Sequence, residues 1–448
     1  MRMGTIRSRT TTIIRTTSTI GTVTISTGTA QSRTLTSTGT NPSTTAMRTI
    51  RTFIIGTATD FMRPLVLVLL AGAAQAAPYL PKDDATVLER LPVRASDPVG
   101  RELRRLRTTL AGDPRNLDIA LDLAARYFEL AGAEGDPRYV GYAQAALGPW
   151  WNLAEPPLEA RVMRAILKQY SHDFSGAMQD LEAATRENPG YASAWSWRAA
   201  IHMVQADYVA ARADCGALRG VETELRATGC LAYIDGTTGR AVAAHRMLSD
   251  VFARNPPASA EEKVWILTRL AEMSLRQGET RQAEERFRTA LALDVRDQFL
   301  LAAYADYLLD QNRPAEVVAL LKEWVRSDVL LLRLALAEKS VSGPLAKEHI
   351  QALKTRFDAA ALRGDKLHQQ EEARFNLYLL GEKSRALALA QENWKSQREP
   401  RDARILLEAA LAMRDPPAAQ GALEWLDQSG HEDPLLRQTA QKLRILKP

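Results

Sequence analysis

The chain has 448 residues, 46% of them hydrophobic and 25% charged, with two cysteines and a formal net charge of +5. That length exceeds what one compact core usually holds, and that composition excludes a disordered or collagen-like chain. The excess of positive charge is not spread evenly. The whole chain carries 58 basic and 53 acidic residues; residues 1–76 hold eight arginines, no lysine and one aspartate, leaving 50 and 52 beyond them, a balance of −2. Nucleic-acid binding rests on clustered Lys and Arg, so the body of the chain gives it no support.

Residues 1–61 are rich in threonine and arginine and show neither a 3.6-residue apolar stripe nor sustained alternation. Such a stretch cannot bury a core, and it reads as a disordered extension or as upstream sequence that is not translated. Residues 62–76 come next, with Met62, Arg63, Pro64, an apolar run over 65–70, and alanines at 74 and 76. A short positive region, a short apolar run and an Ala-x-Ala site predict a secretory signal peptide cleaved after Ala76, with no membrane span afterwards. The apolar run is about half what a spanning helix needs. Residues 77–115 form a lead-in with one helix, where Arg101, Arg104, Arg105 and Arg107 share a helix with Leu103, Leu106 and Leu110 and read as its solvated face.

From there a block recurs: a small or polar residue, an aromatic or apolar residue two on, an alanine three later, and an apolar residue four beyond. It reads His172, Phe174, Ala177, Leu181; then Ala206, Tyr208, Ala211, Cys215; then Gly239, Ala241, Ala244, Leu248; then Gly278, Thr280, Ala283, Phe287. Ala143, Ala177, Ala211 and Ala244 are spaced by 34, 34 and 33 residues. Matching small residues stand earlier in each unit, at Ala165, Ala199, Ala232, Ala271 and Ala305. A small residue midway along each of two antiparallel helices lets their backbones approach. Asn188-Pro189 and Asn255-Pro256 are stop signals for second helices.

These residues resemble the tetratricopeptide repeat family, a helix-turn-helix repeat of about 34 residues. The resemblance is clear from Leu158 to Val295, fair from Gln298, and spans 116–325 as repeats; residues 326–448 read as degenerate helical repeats ending in a polar-faced cap. It implies an all-α, right-handed superhelical solenoid of antiparallel helix pairs whose first helices line a concave groove. Carried over unit by unit, the groove positions are Gln169, Tyr170, Trp197, Met203, Tyr233, Trp265, Arg269, Glu272, Arg276 and Asp306, with Trp195 turned into the core. Tyr, Trp and Arg dominate interface hot spots. Some members grip a terminal carboxylate with Lys, Asn and Arg; here only Arg269 matches in type.

Cys215 and Cys230 fall on successive helices, and in an exported chain an even cysteine count predicts a bridge. The six histidines are scattered without metal-ligand spacing, no phosphate-cradling Gly-rich loop is present, and no nucleophile stands beside a base. The sequence therefore predicts no catalytic, cofactor-binding or metal site. The expected function is an exported scaffold of the bacterial envelope, periplasmic or secreted, that binds an unidentified protein or peptide. The alternatives are an accessory subunit or degenerate enzyme of an envelope system, and a cytoplasmic adaptor if the signal peptide is not used.

Overall fold

The computed structural model describes residues 97–254, 259–362 and 364–446. The expectations for residues 1–96, the signal peptide among them, and for Asn255-Pro256 lie outside the described residues. Of the unit ending at Arg104 only the first part of α1 (Pro98–Gly112) is described, and the repeats belong to the unit from Arg105 onward.

That second unit is built from consecutive helix pairs. They are α2 and α3 (Leu117–Glu134, Arg138–Ala146), then the single turn α4 (Gly148–Trp151); α5 and α6 (Leu158–Tyr170, Phe174–Glu187); α7 and α8 (Ala192–Val204, Tyr208–Ala217); and α9 and α10 (Glu224–Thr237, Ala241–Arg254). Next come α11 and α12 (Ala260–Arg276, Thr280–Leu291), α13 and α14 (Gln298–Asp310, Pro314–Leu321), and α15 and α16 (Asp328–Val341, Ala346–Leu362). The last are α17 (Gln369–Phe375), which runs into a π-helical turn, Asn376–Leu380, with α18 (Lys383–Trp394); α19 and α20 (Pro400–Met413, Gln420–Ser429); and α21 (Pro434–Ile445). No strand occurs among the described residues.

Local chemistry sets each boundary. Asp173, Asp207, Thr223, Ser259, Asp297 and Ser327 cap the helices that begin after them, each accepting the backbone N–H three residues on. The residue opening the recurrent block turns the chain from first to second helix. His172, Ala206, Gly239 and Gly278 all have positive φ, from 59° to 78°, and Asn312, Gly381 and Arg414 repeat this in later pairs. The left-handed conformation ends one helix within a residue or two of starting the next.

Packing matches the sequence period. Ala165, Ala177, Ala211, Ala232, Ala271, Ala283 and Ala305 are fully buried, and Ala199 and Ala244 nearly so, at the crossings within and between pairs. Beside Ala283 sits Phe287, fully buried with its ring 5.5 Å from Tyr304 and 6.0 Å from Tyr307 of the next unit. In the α5–α6 pair, buried Arg164 pairs with Asp180 (2.5 Å) and donates to the carbonyls of Trp151 and Leu153 (2.8 Å each), tethering the Trp150-Trp151 segment that precedes it.

First helices of successive units touch one another from α5 through α19, which places them on the inner side of the curve. The solenoid is all-α, as expected. At its C-terminal end α20 and α21 expose polar faces, through Glu424, Asp427 and Gln428 and through Arg437, Gln438, Gln441 and Lys442, while α19 is buried on more than one side. Helix α19 buries Asp402, Ala403, Ile405, Leu406, Leu407, Ala409 and Ala410, and with Trp425, Leu436 and Leu443 it anchors a core that reaches Ala206 and Tyr208. The 34-residue register is lost beyond Pro400 without any loss of packing: α19 is apolar on two sides because it packs on α18 and on both α20 and α21.

Candidate functional site

Residues 397–432 dock on the turns of α5 to α10. The Arg398 N–H donates to the Val204 carbonyl (2.7 Å), Trp425 Nε1 to the Tyr208 hydroxyl (2.8 Å), and the Ala241 N–H to Glu432 (2.7 Å). His431 Nδ1 lies 2.9 Å from the Thr237 carbonyl, and the Tyr233 hydroxyl donates to Glu399 (3.3 Å). The inner face of the repeats is therefore partly covered by the chain's own C-terminal helices.

This changes the environment of several predicted groove residues. Arg269 is only 6% exposed; its guanidinium lies 4.5 Å from the Tyr233 ring centre and 4.2 Å from that of Phe299, and it pairs with Glu272 at 2.8 Å. Arg276 donates to the Gly236 carbonyl (2.8 Å), so part of its hydrogen-bonding capacity serves α9. Asp306 accepts from Arg333 and Arg374, at 2.6 Å each. Burial alone would raise the Asp306 carboxyl, but Arg333 and Arg374 outweigh it and hold the group far below the usual carboxylate range.

Met203 departs from the groove expected of it. It is buried beside Ala199, Ala211, Cys215 and Ile234, because this turn of α7 faces its own pair and α9 rather than the groove. Trp195 is also displaced from expectation: it lies half-buried at the start of α7, its Nε1 donating to the Pro189 carbonyl (2.9 Å), with Arg198 over its face at 4.9 Å. Trp197 and Tyr170 do converge. Both rings meet Phe128 of α2 edge-on at 6.0 Å, and Gln169 lies half-buried beside Tyr170 in sequence. Trp265 and Phe299, on adjacent first helices, keep 37% and 39% of their surface open.

The structure joins Cys215 of α8 to Cys230 of α9 in a disulfide, with a Cα–Cα distance of 5.6 Å. Sequence reasoning missed Phe128, Arg333, Gln370, Arg374, Glu399, Arg404 and His431 on the inner face. The spacing of Arg404 and Glu408, paired at 2.9 Å, was readable as a helix face. Nothing local announces that Arg404 also reaches Asp310, 94 residues earlier, at 2.6 Å. Among the described residues no cluster of His, Cys, Asp or Glu could hold a metal ion, and no helix is long and apolar enough to cross a membrane.

The fully buried alanines of successive units, the first helices in mutual contact, and one left-handed residue at each turn together decide the repeat type. The helix pairs are tetratricopeptide-like. No family model and no curated protein matches the sequence. Among solved structures, the crystal structure of yeast Tom70 is 13% identical and matches over 77% of this chain and 96% of that one, with a TM-score of 0.29. The TPR domain of P58(IPK) is 14% identical over 70% of this chain and 94% of that one, with a TM-score of 0.19. Superposition is loose at these scores, and the repeat type stands on the chain's own packing and turns.

Proposed function

We propose that this tetratricopeptide-like solenoid is an exported scaffold of the bacterial envelope that binds a protein or peptide and carries out no catalysis of its own. The observation that carries the binding reading is the pair Trp265 and Phe299, two large aromatic rings left open on adjacent first helices, the second of them stacked on buried Arg269. An aromatic anchor held by a fixed Arg is the usual composition of an interface hot spot. The tryptophan rests on Gly229, where a Cβ would come within 2.5 Å of its ring, so its position is set before any partner arrives. The half-buried cluster of Phe128, Tyr170 and Trp197 adds further aromatic surface on first helices of the same solenoid.

Export is supported by the signal-like segment 62–76 and by the Cys215–Cys230 disulfide, a linkage that persists in oxidising compartments. Two measurements test the reading. N-terminal sequencing of the protein from cells should begin at Ala77, and a chain retaining residues 62–76 would refute export. Capture from envelope extract should enrich a defined protein with the wild-type chain and lose it with Trp265→Ala/Phe299→Ala at unchanged circular dichroism. Equal capture by both would remove these residues from the interface.

A further inference from the structure

Where residues 397–432 dock on the turns of α5 to α10, the contact runs through turns and single polar bonds rather than through helices packed side by side. From the earlier repeats, Ala206 and Tyr208 join the C-terminal apolar core. A seam built this way depends on each polar bond that spans it. Two of those bonds involve histidine. His172, in the turn between α5 and α6, has its Nδ1 3.4 Å from Gln397 Nε2, and His431, just before α21, has its Nδ1 2.9 Å from the Thr237 carbonyl at the end of α9.

Neither ring can take a second proton comfortably while the seam is closed. Asp402 accepts from Asn393 Nδ2 (2.9 Å), which leaves Asn393 Oδ1 to accept from Gln397 Nε2 (3.1 Å), so Gln397 turns N–H groups towards His172 and the ring accepts through Nδ1. A proton on that nitrogen would set donor against donor. His431 holds its proton on Nδ1 against Thr237, and its buried Nε2 has no partner, so a second proton would find no acceptor. Charges on the surrounding elements add to this. His172 faces His368 before α17 and Arg401 of α19, against Glu371 of α17 and Asp365; His431 faces Arg276 of α11 and Arg437 of α21, with Glu399 and Asp433 around the same small cavity. Burial first, then His368 and Arg401, push His172 down to about 4; burial, then Arg276, push His431 down to about 3.

We propose that this seam is an acid-sensitive clasp: protonation of His172 and His431 releases residues 397–432 from the turns of α5 to α10 and uncovers the inner face around Tyr233 and Arg269 while the helix pairs stay folded. In the open form both rings return to roughly 6.5, so the open form binds protons that the closed form refuses. The closed form is therefore fully favoured above about pH 6.5 and loses ground as pH falls towards 4 and 3. Between about pH 6.5 and 4.5 each histidine shifts the balance towards the open form by up to roughly a hundredfold.

The test is a spin-label pair across the seam of the full chain, at Val242→Cys on α10 and Gln428→Cys on α20, both exposed positions, with the Cys215–Cys230 bridge kept oxidised so that only the new thiols react. Double electron–electron resonance between about pH 7.5 and 3.5 should show one short distance at neutral pH and a longer one on acidification, at unchanged far-UV circular dichroism. His172→Gln/His431→Gln should lower the opening midpoint by about one pH unit or more, because neither glutamine takes a proton. A distance constant across the range, or one that changes only with loss of the helical signal, overturns the proposal. So does an unshifted midpoint in the double variant, which would assign opening to carboxylates of the seam such as Glu399 and Glu432. Should the double variant fail to fold, the assigned imidazole resonances of the wild-type chain decide: both rings unprotonated until the distance changes supports the clasp, and either ring titrating at constant distance rejects it.

Discussion

Gly239 and Gly430 meet backbone to backbone: a Cβ added to Gly239 would stand 3.0 Å from the carbonyl oxygen of Gly430. The contact joins the turn between α9 and α10 to the turn before α21, beside the bonds from His431 to Thr237 and from Ala241 to Glu432. Gly239 also has a φ of +74°, which an L side chain adopts at a cost of about 1–2 kcal/mol. Gly278 has a φ of +78° and nothing within 4 Å of its Cβ position.

Comparison of the two glycines isolates the docking contact. Gly278→Ala should lose only the backbone preference, about 1 kcal/mol, while Gly239→Ala should lose that and roughly 1–2 kcal/mol more, because neither turn can retreat without breaking its bonds. Urea denaturation of both variants measures the difference. Equal losses would mean that the C-terminal turns do not hold the middle repeats.

The pair architecture was legible because it is written at short range. A 34-residue period, an alanine at each crossing and a polar or glycine residue at each turn are local signals, and Ala177, Ala211 and Ala283 lie where those signals put them. The C-terminal helices were not legible in the same way. Tyr233 and Glu399 are 166 residues apart, as Asp310 and Arg404 are 94 apart, and no periodicity encodes which turn a distant helix will cover. Groove positions carried over from the resemblance suffer for the same reason. They put Trp265 and Arg269 on a first helix, but whether its face meets solvent or the chain itself is decided by α19. Met203 failed for a simpler reason: a one-position difference on a helix turns a side chain by about 100°.

Arg269 and Ala283 bear on the two sides of this relationship. A side chain that only lined an open groove could be removed with the fold almost unchanged. Sandwiched between Tyr233 and Phe299 and paired with Glu272, the side chain instead supports three first helices, so its loss should cost about 2 kcal/mol. Ala283→Leu should cost roughly 1–3 kcal/mol by overpacking a fully buried crossing beside Phe287. Thermal melts of both variants check this. An unaltered melt for Arg269→Ala would mean that the two rings do not need the guanidinium between them.

The Cys215–Cys230 bridge ties the second helix of one unit to the first helix of the next across a separation of 15 residues. A loop of that size corresponds to about 3 kcal/mol in the chain-entropy account. Reduction, or the double change Cys215→Ala/Cys230→Ser, should lower stability by roughly 2–3 kcal/mol. The measurement is denaturation with and without reductant, together with mass-shift counting of thiols after alkylation. Two alkylated cysteines in unreduced protein taken from cells would show that the bridge is not formed there.

Asp402 and His431 give stability opposite dependences on pH. Burial, aided by neighbouring Glu399 and opposed by Arg401, pushes the Asp402 carboxyl up to about 7, where the unfolded chain has roughly 3.9. The folded state then holds a proton that the unfolded state has released, so this contribution is complete below about pH 4 and is lost as pH rises towards 7. His431 runs the other way. Burial and then Arg276 push its ring down to about 3 from an unfolded value of roughly 6.5, so its contribution is complete above about pH 6.5 and is lost as pH falls towards 3. In the shared window from about pH 4 to 6.5 the two partly cancel, but His172, pushed down to about 4 chiefly by burial, adds a contribution of His431's sign, so wild-type stability should fall modestly on acidification. Asp402→Asn keeps an acceptor for the Glu399 N–H, now 2.9 Å from the carboxylate, and removes the titration, while losing the bond that Asn393 Nδ2 donates to the other oxygen (2.9 Å), a cost that does not depend on pH. Its stability should therefore fall more steeply than wild type on acidification. His431→Gln should shift the slope in the opposite sense, leaving stability nearly level across the same window. Urea midpoints at half-unit steps between about pH 4 and 7 measure both slopes, and variants whose slopes match wild type would refute the burial of these two groups in the folded chain.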